Sequence, residues 1–184
     1  MELARTKGGR RTLNLGSSER TDTIMEKRYY IAYGSNLNIR QMRMRCPSAR
    51  IIGTSVISDY ELLFKGSLTG AYLTIEKKAG GMVPVAAWEV TAEDERSLDR
   101  YEGYPRFYYK AEMVLPIKGI RSGKVRNRNC FVYIMHEDRS LGVPSQYYVT
   151  ACLEGYRCFG FDEKILMQAY ADSRTEDLLW AKRK

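Results

Sequence analysis

Strand-like segments outnumber helix-like ones along this chain, and the two kinds do not alternate. That order limits the fold more than any other feature. Arg28–Tyr33, Ile51–Ile57, Tyr60–Phe64, Ala71–Ile75, Val83–Val90, Phe107–Leu115 and Asn129–Met135 are rich in aromatic and β-branched residues, and turn formers bound them. Ser58-Asp59 separates the second from the third. Lys77–Gly81 reads as a hairpin loop between the fourth and fifth, and Arg121–Asn129 as a polar basic loop before the last. Helical signals are fewer. Ser35 or Asn36 can cap a helix through Leu37, Ile39 and Met42 to Arg45, stopped by Pro47. Thr91–Asp94 approximates a capping box for a helix reaching Tyr101 and ended by Gly103. Pro144-Ser145 opens a third helix, through Leu153 to Gly155, and Asp162 a fourth, toward Tyr170. A doubly wound parallel sheet needs regular alternation, so the pattern favours an α+β domain on a curved or closed mixed sheet.

With 184 residues there is room for one domain and extensions. Residues 1–27 read as a flexible, solvated N-terminal extension, 28–171 as the domain, and 172–184 as a fraying C-terminal tail. The net charge of +8 is modest for this length, and 44% hydrophobic residues suit a globular protein that needs no disulfide or metal. Cys46, Cys130, Cys152 and Cys158 form no CxxC pair and His136 stands alone, so no metal site is expected. The longest apolar run, Met82–Trp88, is far shorter than the ~18 residues of a membrane span, and the N-terminal stretch, lacking an apolar h-region, is not expected to be a secretory signal. A cytoplasmic protein with reduced thiols is expected. The residues specify no oligomeric state.

Two segments could carry chemistry. In Tyr33-Gly34-Ser35-Asn36-Leu37, Gly34 allows a ligand close to the backbone, and the unpaired N–H groups opening the next helix suit a carboxylate or phosphate. The second is Glu102 in Leu98-Asp99-Arg100-Tyr101-Glu102-Gly103. At 3.6 residues per turn it falls about 40° from Leu98, on the apolar face. It also stands at the negative end of the helix dipole. Burial and dipole both raise a carboxyl pKa, toward the range of a usable general base. Fourteen tyrosines, many near these motifs, can pack a core and still present a hydroxyl to a cavity. Ser35 has no G-x-S-x-G context, and no Walker A or G-x-G-x-x-G pattern occurs. The basic residues Arg121, Lys124, Arg126 and Arg128 come with no nucleic-acid-binding signature, so no nucleic-acid or membrane partner is expected.

Taken in order, Tyr33–Leu37, Arg45-Cys46-Pro47, Leu98-Asp99-x-x-Glu102-Gly103, Pro144-Ser145-x-x-Tyr148 and Gly155-Tyr156 resemble the γ-glutamylcyclotransferase-like family across about residues 28–170. The resemblance implies a small mixed β-barrel flanked by α-helices. It also implies a cofactor-free enzyme converting a small γ-glutamyl amide or peptide to 5-oxoproline and a released amine or amino acid. Glu102 would be the general acid/base. Tyr33, Gly34, Ser35, Asn36 and Leu37 would bind substrate, with Tyr148 beside them and pocket walls from Tyr104–Tyr109 and residues 136–148. A related branch acting on γ-glutamylamines carries Y-G-T-L where this chain has Y-G-S-N. The competing reading is a non-catalytic small-anion or ligand-binding domain on the same fold.

Overall fold

The structure is a computed structural model that describes residues 27–67 and 70–181, without the side chains of 67 and 175–181. Strands β1 (Arg28–Ala32), β2 (Arg50–Ser67), β3 (Gly70–Val90), β4 (Tyr108–Gly119) and β5 (Val125–Met135) close into a barrel in the order β1-β3-β2-β4-β5. All neighbours are antiparallel except β1 and β5, whose parallel pairing (Tyr30 to Phe131, Ile31 to Val132) seals it. Helices α1 (Ile39–Arg45), α2 (Ala92–Glu102), α3 (Gln146–Phe159) and α4 (Glu163–Ala181) flank it, as expected for a mixed barrel. None of the described helices is long and apolar enough to cross a membrane.

Where an antiparallel sheet has one wet face, burial alternates. Here Val83–Trp88 and Cys130–Met135 are buried without a break, because these strands are covered on both faces. Trp88, Phe64, Phe131, Ile31, Leu73 and Ile75 are among the fully buried side chains of the core. The apolar run Met82–Trp88 is buried from Val83 onward, with Met82 exposed.

Four expected boundaries are corrected. Ser58-Asp59 and Lys77–Gly81 do not turn the chain. They face each other inside one long β2–β3 ribbon, where Ser58 pairs with Met82 and Tyr60 with Lys77. Asp59, at φ 60°, therefore opposes residues 78–81 and accepts the Gly80 N–H at 2.9 Å. The turn formers were real, but they make a bulge. The expected loop over 121–129 shrinks likewise, since Val125–Asn129 already pair with β4. Finally, α3 passes through Gly155 and ends at Gly160 in a left-handed cap (φ 66°). Gly155 is a glycine for space instead: a Cβ there would lie 2.4 Å from Leu37 Cβ and 2.9 Å from Asn38 N.

The termini differ in outcome. Residues 1–26 of the expected extension lie outside the described residues. The expected fraying tail from 172 gives way to helix, with α4 continuing to Ala181.

Local capping follows the sequence more closely in α2 than in α1. Thr91 and Asp94 form a reciprocal capping box, at 3.2 Å from Asp94 N to Thr91 Oγ1 and 3.1 Å from Thr91 N to Asp94 Oδ2, and Gly103 closes the helix at φ 65°. For α1 the cap is neither Ser35 nor Asn36 but Asn38. Its Oδ1 accepts from Arg40 N and Gln41 N, while its Nδ2 donates to Glu154 Oε2 at 2.7 Å. One side chain thus caps α1 and ties it to α3. Asn38→Ala is expected to destabilise the protein by about 1–2 kcal/mol, read as a shift in the denaturant midpoint at constant slope.

Candidate active site

Tyr33 leaves the end of β1, and Ser35–Leu37 form a single 3₁₀ turn before the Asn38 cap. Glu102 ends α2. A cavity of about 430 Å³ lies between them, lined by Tyr33, Gly34, Ser35, Asn36, Glu102 and Tyr148 among others. Five of the six expected binding positions therefore meet the expected acid/base residue in one place. Leu37 does not: it is fully buried against Gly155, and its role is to seat the turn on α3.

The expected anion cradle also changes. Leu37 N–H donates to Gly34 O at 2.9 Å, and Asn38 occupies the first free N–H groups of α1. The loop residues that belong to the cavity lining are Gly34, Ser35 and Asn36. Gly34 needs no left-handed backbone. It is small because a Cβ would stand 3.2 Å from the Tyr148 hydroxyl and 3.5 Å from Leu73 Cβ.

Glu102 is half-buried. Removal from water pushes its carboxyl pKa up from 4.5 to about 7, against the opposing pull of Arg45 and of the hydrogen bond from Asn36. Asn36 Nδ2 donates to Glu102 Oε1 at 2.9 Å and to the Tyr30 hydroxyl at 2.8 Å, and Asn36 Oδ1 accepts from Arg45 Nη1 at 2.5 Å. The Asn36 side chain thus links Glu102 to Tyr30 and Arg45 at the cavity wall.

The tyrosines form the rest of the wall, and most of their hydroxyls are tied down. Tyr33 donates to Tyr133 O at 2.6 Å, Tyr108 donates to Leu73 O at 2.8 Å, and Tyr148 accepts from Leu73 N at 3.2 Å. Burial holds the phenols of Tyr30, Tyr33, Tyr108 and Tyr148 well above their usual pKa, so they stay neutral. Tyr133, also in the wall, donates from Oη to Asp99 Oδ1 at 2.6 Å, Asp99 pairs with Lys110 at 2.7 Å, and Lys110 pairs with Glu95. Through that chain α2 is pinned to β4 and β5.

Sequence reading missed Tyr30 and Tyr133 as individual wall residues, although the tyrosine excess pointed toward such a use. It missed any role for Arg45 beyond its place in a motif. Of the expected walls, Phe107 and Tyr108 line the cavity. Within 136–148 only Tyr148 does, while Tyr109 instead donates to Glu137 at the surface. No cluster of His, Cys, Asp and Glu among the described residues could hold a metal ion.

Comparison with known proteins places this chain among relatives. The profile of the family described as gamma-glutamyl cyclotransferase, AIG2-like, matches residues 30–161. The gamma-glutamylcyclotransferase of Homo sapiens is 29% identical over 147 residues, spanning 76% of this chain and 76% of that protein. That of Mus musculus is 30% identical over 151 residues, spanning 78% and 74%. A solved structure of a gamma-glutamyl cyclotransferase superposes with a TM-score of 0.68 at 25% identity, over 79% of this chain and 88% of that one.

Proposed function

The chain belongs to the gamma-glutamyl cyclotransferase, AIG2-like family, and from that premise we propose that it cyclises a small γ-glutamyl compound, with Glu102 as the proton carrier. The observation that carries this reading is the Glu102 carboxyl group at the cavity wall, with its pKa pushed up to about 7. A base is most effective when its pKa lies near the working pH, since it is then both available and strong enough.

The reaction needs only one substrate. Its α-ammonium group gives a proton to the Glu102 carboxylate, and the freed amine attacks the γ-carbonyl carbon of the same molecule. A C–N bond forms and the ring closes to a tetrahedral intermediate. The original amide C–N bond then breaks as the proton held by Glu102 passes to the departing nitrogen. The ring nitrogen gives its second proton to the Glu102 carboxylate, which hands it to the released amine, and 5-oxoproline leaves with that amine as an ammonium ion. Glu102 ends as it began. Because nucleophile and electrophile share one molecule, the cavity has to supply a folded conformation, not a second reactant. The N–H groups of Gly34, Ser35 and Asn36 suit the substrate's α-carboxylate, and the neutral phenols of Tyr33, Tyr108 and Tyr148 surround it without adding charge.

A panel of γ-glutamyl amino acids, peptides and amines, with α-glutamyl isomers as controls, tests this by release of 5-oxoproline. Release from a γ-linked compound and none from its α-linked isomer is expected. With that substrate kcat/KM should rise tenfold per pH unit below about pH 7 and level off above it, since only the ionised carboxyl group can accept the proton. A complete absence of 5-oxoproline across the panel and across pH 5–9 would leave a ligand-binding domain as the better reading.

A further inference from the structure

Behind the cavity wall, side chains from three segments interlock around Asn36. Arg45, the last residue of α1, donates from Nη1 to Asn36 Oδ1 at 2.5 Å and from Nη2 to Gln41 Oε1 at 2.7 Å. Its guanidinium carbon also lies 3.7 Å from the centroid of the Tyr101 ring, one residue before Glu102. The Asn36 amide nitrogen then donates to Glu102 Oε1 at 2.9 Å.

Donor chemistry makes this arrangement directional. A guanidinium has five N–H donors and no acceptor, so only the oxygen of the Asn36 amide can face it. With the oxygen committed to Arg45, the NH₂ group must face Glu102. A flipped amide would set its oxygen against the carboxylate and its NH₂ against the guanidinium, and both contacts would be repulsive. Arg45 thus decides what Asn36 presents to the carboxyl group.

Resting on the cyclotransferase reading, we propose that Arg45 is a positioning residue for Glu102: through the Asn36 amide, its guanidinium fixes the orientation of the carboxyl group and sustains its charged form. The surroundings leave this task to Arg45. The groups facing Glu102 are phenols: Tyr30 from β1, Tyr33 beyond it, Tyr101 on α2 itself, Tyr108 from β4, Tyr133 from β5 and Tyr148 from α3. All are neutral near pH 7. Arg100 lines the cavity but is exposed and turns to Ser97 Oγ at 3.1 Å. Arg45 is therefore the cation that opposes the effect of burial, and Asn36 adds to it through the hydrogen bond.

Lysine and arginine separate the two parts of the role. Lysine keeps the charge, but a single ammonium cannot span Asn36 Oδ1 and Gln41 Oε1 while stacking on Tyr101. Wild type, Arg45→Gln and Arg45→Lys should be compared by carbon-13 titration of the Glu102 carboxyl group and by the pH profile of turnover. In Arg45→Gln the carboxyl midpoint is expected to rise. With it, kcat/KM at pH 7 should fall about fivefold for the first unit of that rise and about tenfold for each further unit, and largely recover above pH 9. In Arg45→Lys the midpoint should stay close to wild type while kcat falls at least fivefold and KM changes little. A folded Arg45→Gln protein with an unmoved midpoint overturns the proposal. So does an Arg45→Lys protein with wild-type kcat, and this second variant decides the matter if Arg45→Gln does not fold. Carboxyl titration needs no turnover. A protein without cyclotransferase activity would therefore sink the proposed function and still leave the Arg45 effect on Glu102 measurable.

Discussion

Glu102→Gln is expected to lose turnover and to gain stability, and both changes come from the same buried charge. The amide keeps the shape of the side chain and can still accept from Asn36 Nδ2, but it cannot take a proton from an ammonium group. Removing a positioned general base lowers kcat/KM by about 10²–10⁴-fold. Stability moves the other way. The folded protein holds this carboxyl group at about 7, against an ordinary value of 4.5. The native state therefore binds the proton more tightly than the unfolded chain, and stability falls as pH rises from about 4.5 to about 7. Above pH 7 that cost is complete and amounts to about 3 kcal/mol, at 1.36 kcal/mol per unit. Glutamine carries no such cost. Denaturant unfolding at pH 8 should find the variant more stable by up to about 3 kcal/mol, with the gap closing below pH 4.5. A variant as stable as wild type at every pH would mean that Glu102 is better solvated than its place in the wall indicates.

Gly155→Ala is expected to damage both stability and turnover, although the substitution adds one carbon in the middle of a helix. On propensity alone alanine would help by about 1 kcal/mol. Here the new Cβ would meet Leu37 Cβ at 2.4 Å, Leu37 C at 2.8 Å and Asn38 N at 2.9 Å. Two of these are backbone atoms, so no rotamer change relieves the clash. Overpacking of this kind costs about 1–3 kcal/mol or more, which outweighs the propensity gain. The relief open to the chain is to move the Ser35–Leu37 turn away from α3. That turn carries Asn36, whose bond to Glu102 is 2.9 Å long. A displacement of about 1 Å there should cost about 10²-fold in kcat/KM. Gly160→Ala makes the comparison sharp. It strains a left-handed cap at φ 66° with nothing within 4 Å of the new carbon, so it should lose about 1 kcal/mol of stability and no turnover. Equal turnover in the two variants would dissociate the turn from the site.

Both halves of the site were legible in the chain because each was a local anomaly. Glu102 is a carboxylate on the apolar face of a helix, at the end where the dipole disfavours it. Gly34-Ser35-Asn36 puts small polar residues where a strand stops. Such local conflicts can be read from spacing alone. The wall tyrosines could not be picked out in this way. Tyr30, Tyr108 and Tyr133 sit on three different strands, and only barrel closure brings them to one cavity. The same applies to Arg45, whose spacing from Asn36 says nothing of the ring it stacks on or the carboxylate it steers.

Turn formers misled for a related reason. Asp59 and Gly80-Gly81 announce irregular backbone, but whether the chain reverses there or bulges depends on whether the strands beyond find partners. In the β2–β3 ribbon they do, as Tyr60–Ser67 pair with Gly70–Lys77. Gly155 carries the same ambiguity, because a glycine after a helical run ends the helix only when nothing else requires its small size.

The sequence by itself determined the mixed α+β class, the capping box of α2 and the unusual setting of Glu102. These follow from periodicity, capping chemistry and the dipole, all of which act within a few residues. Tertiary structure alone decided that Asn36 serves Glu102, that Leu37 belongs to the packing against α3, and that a guanidinium stands behind the carboxyl group. Those outcomes depend on contacts between residues far apart in the chain, and sequence spacing carries no information about distances that only a closed barrel sets.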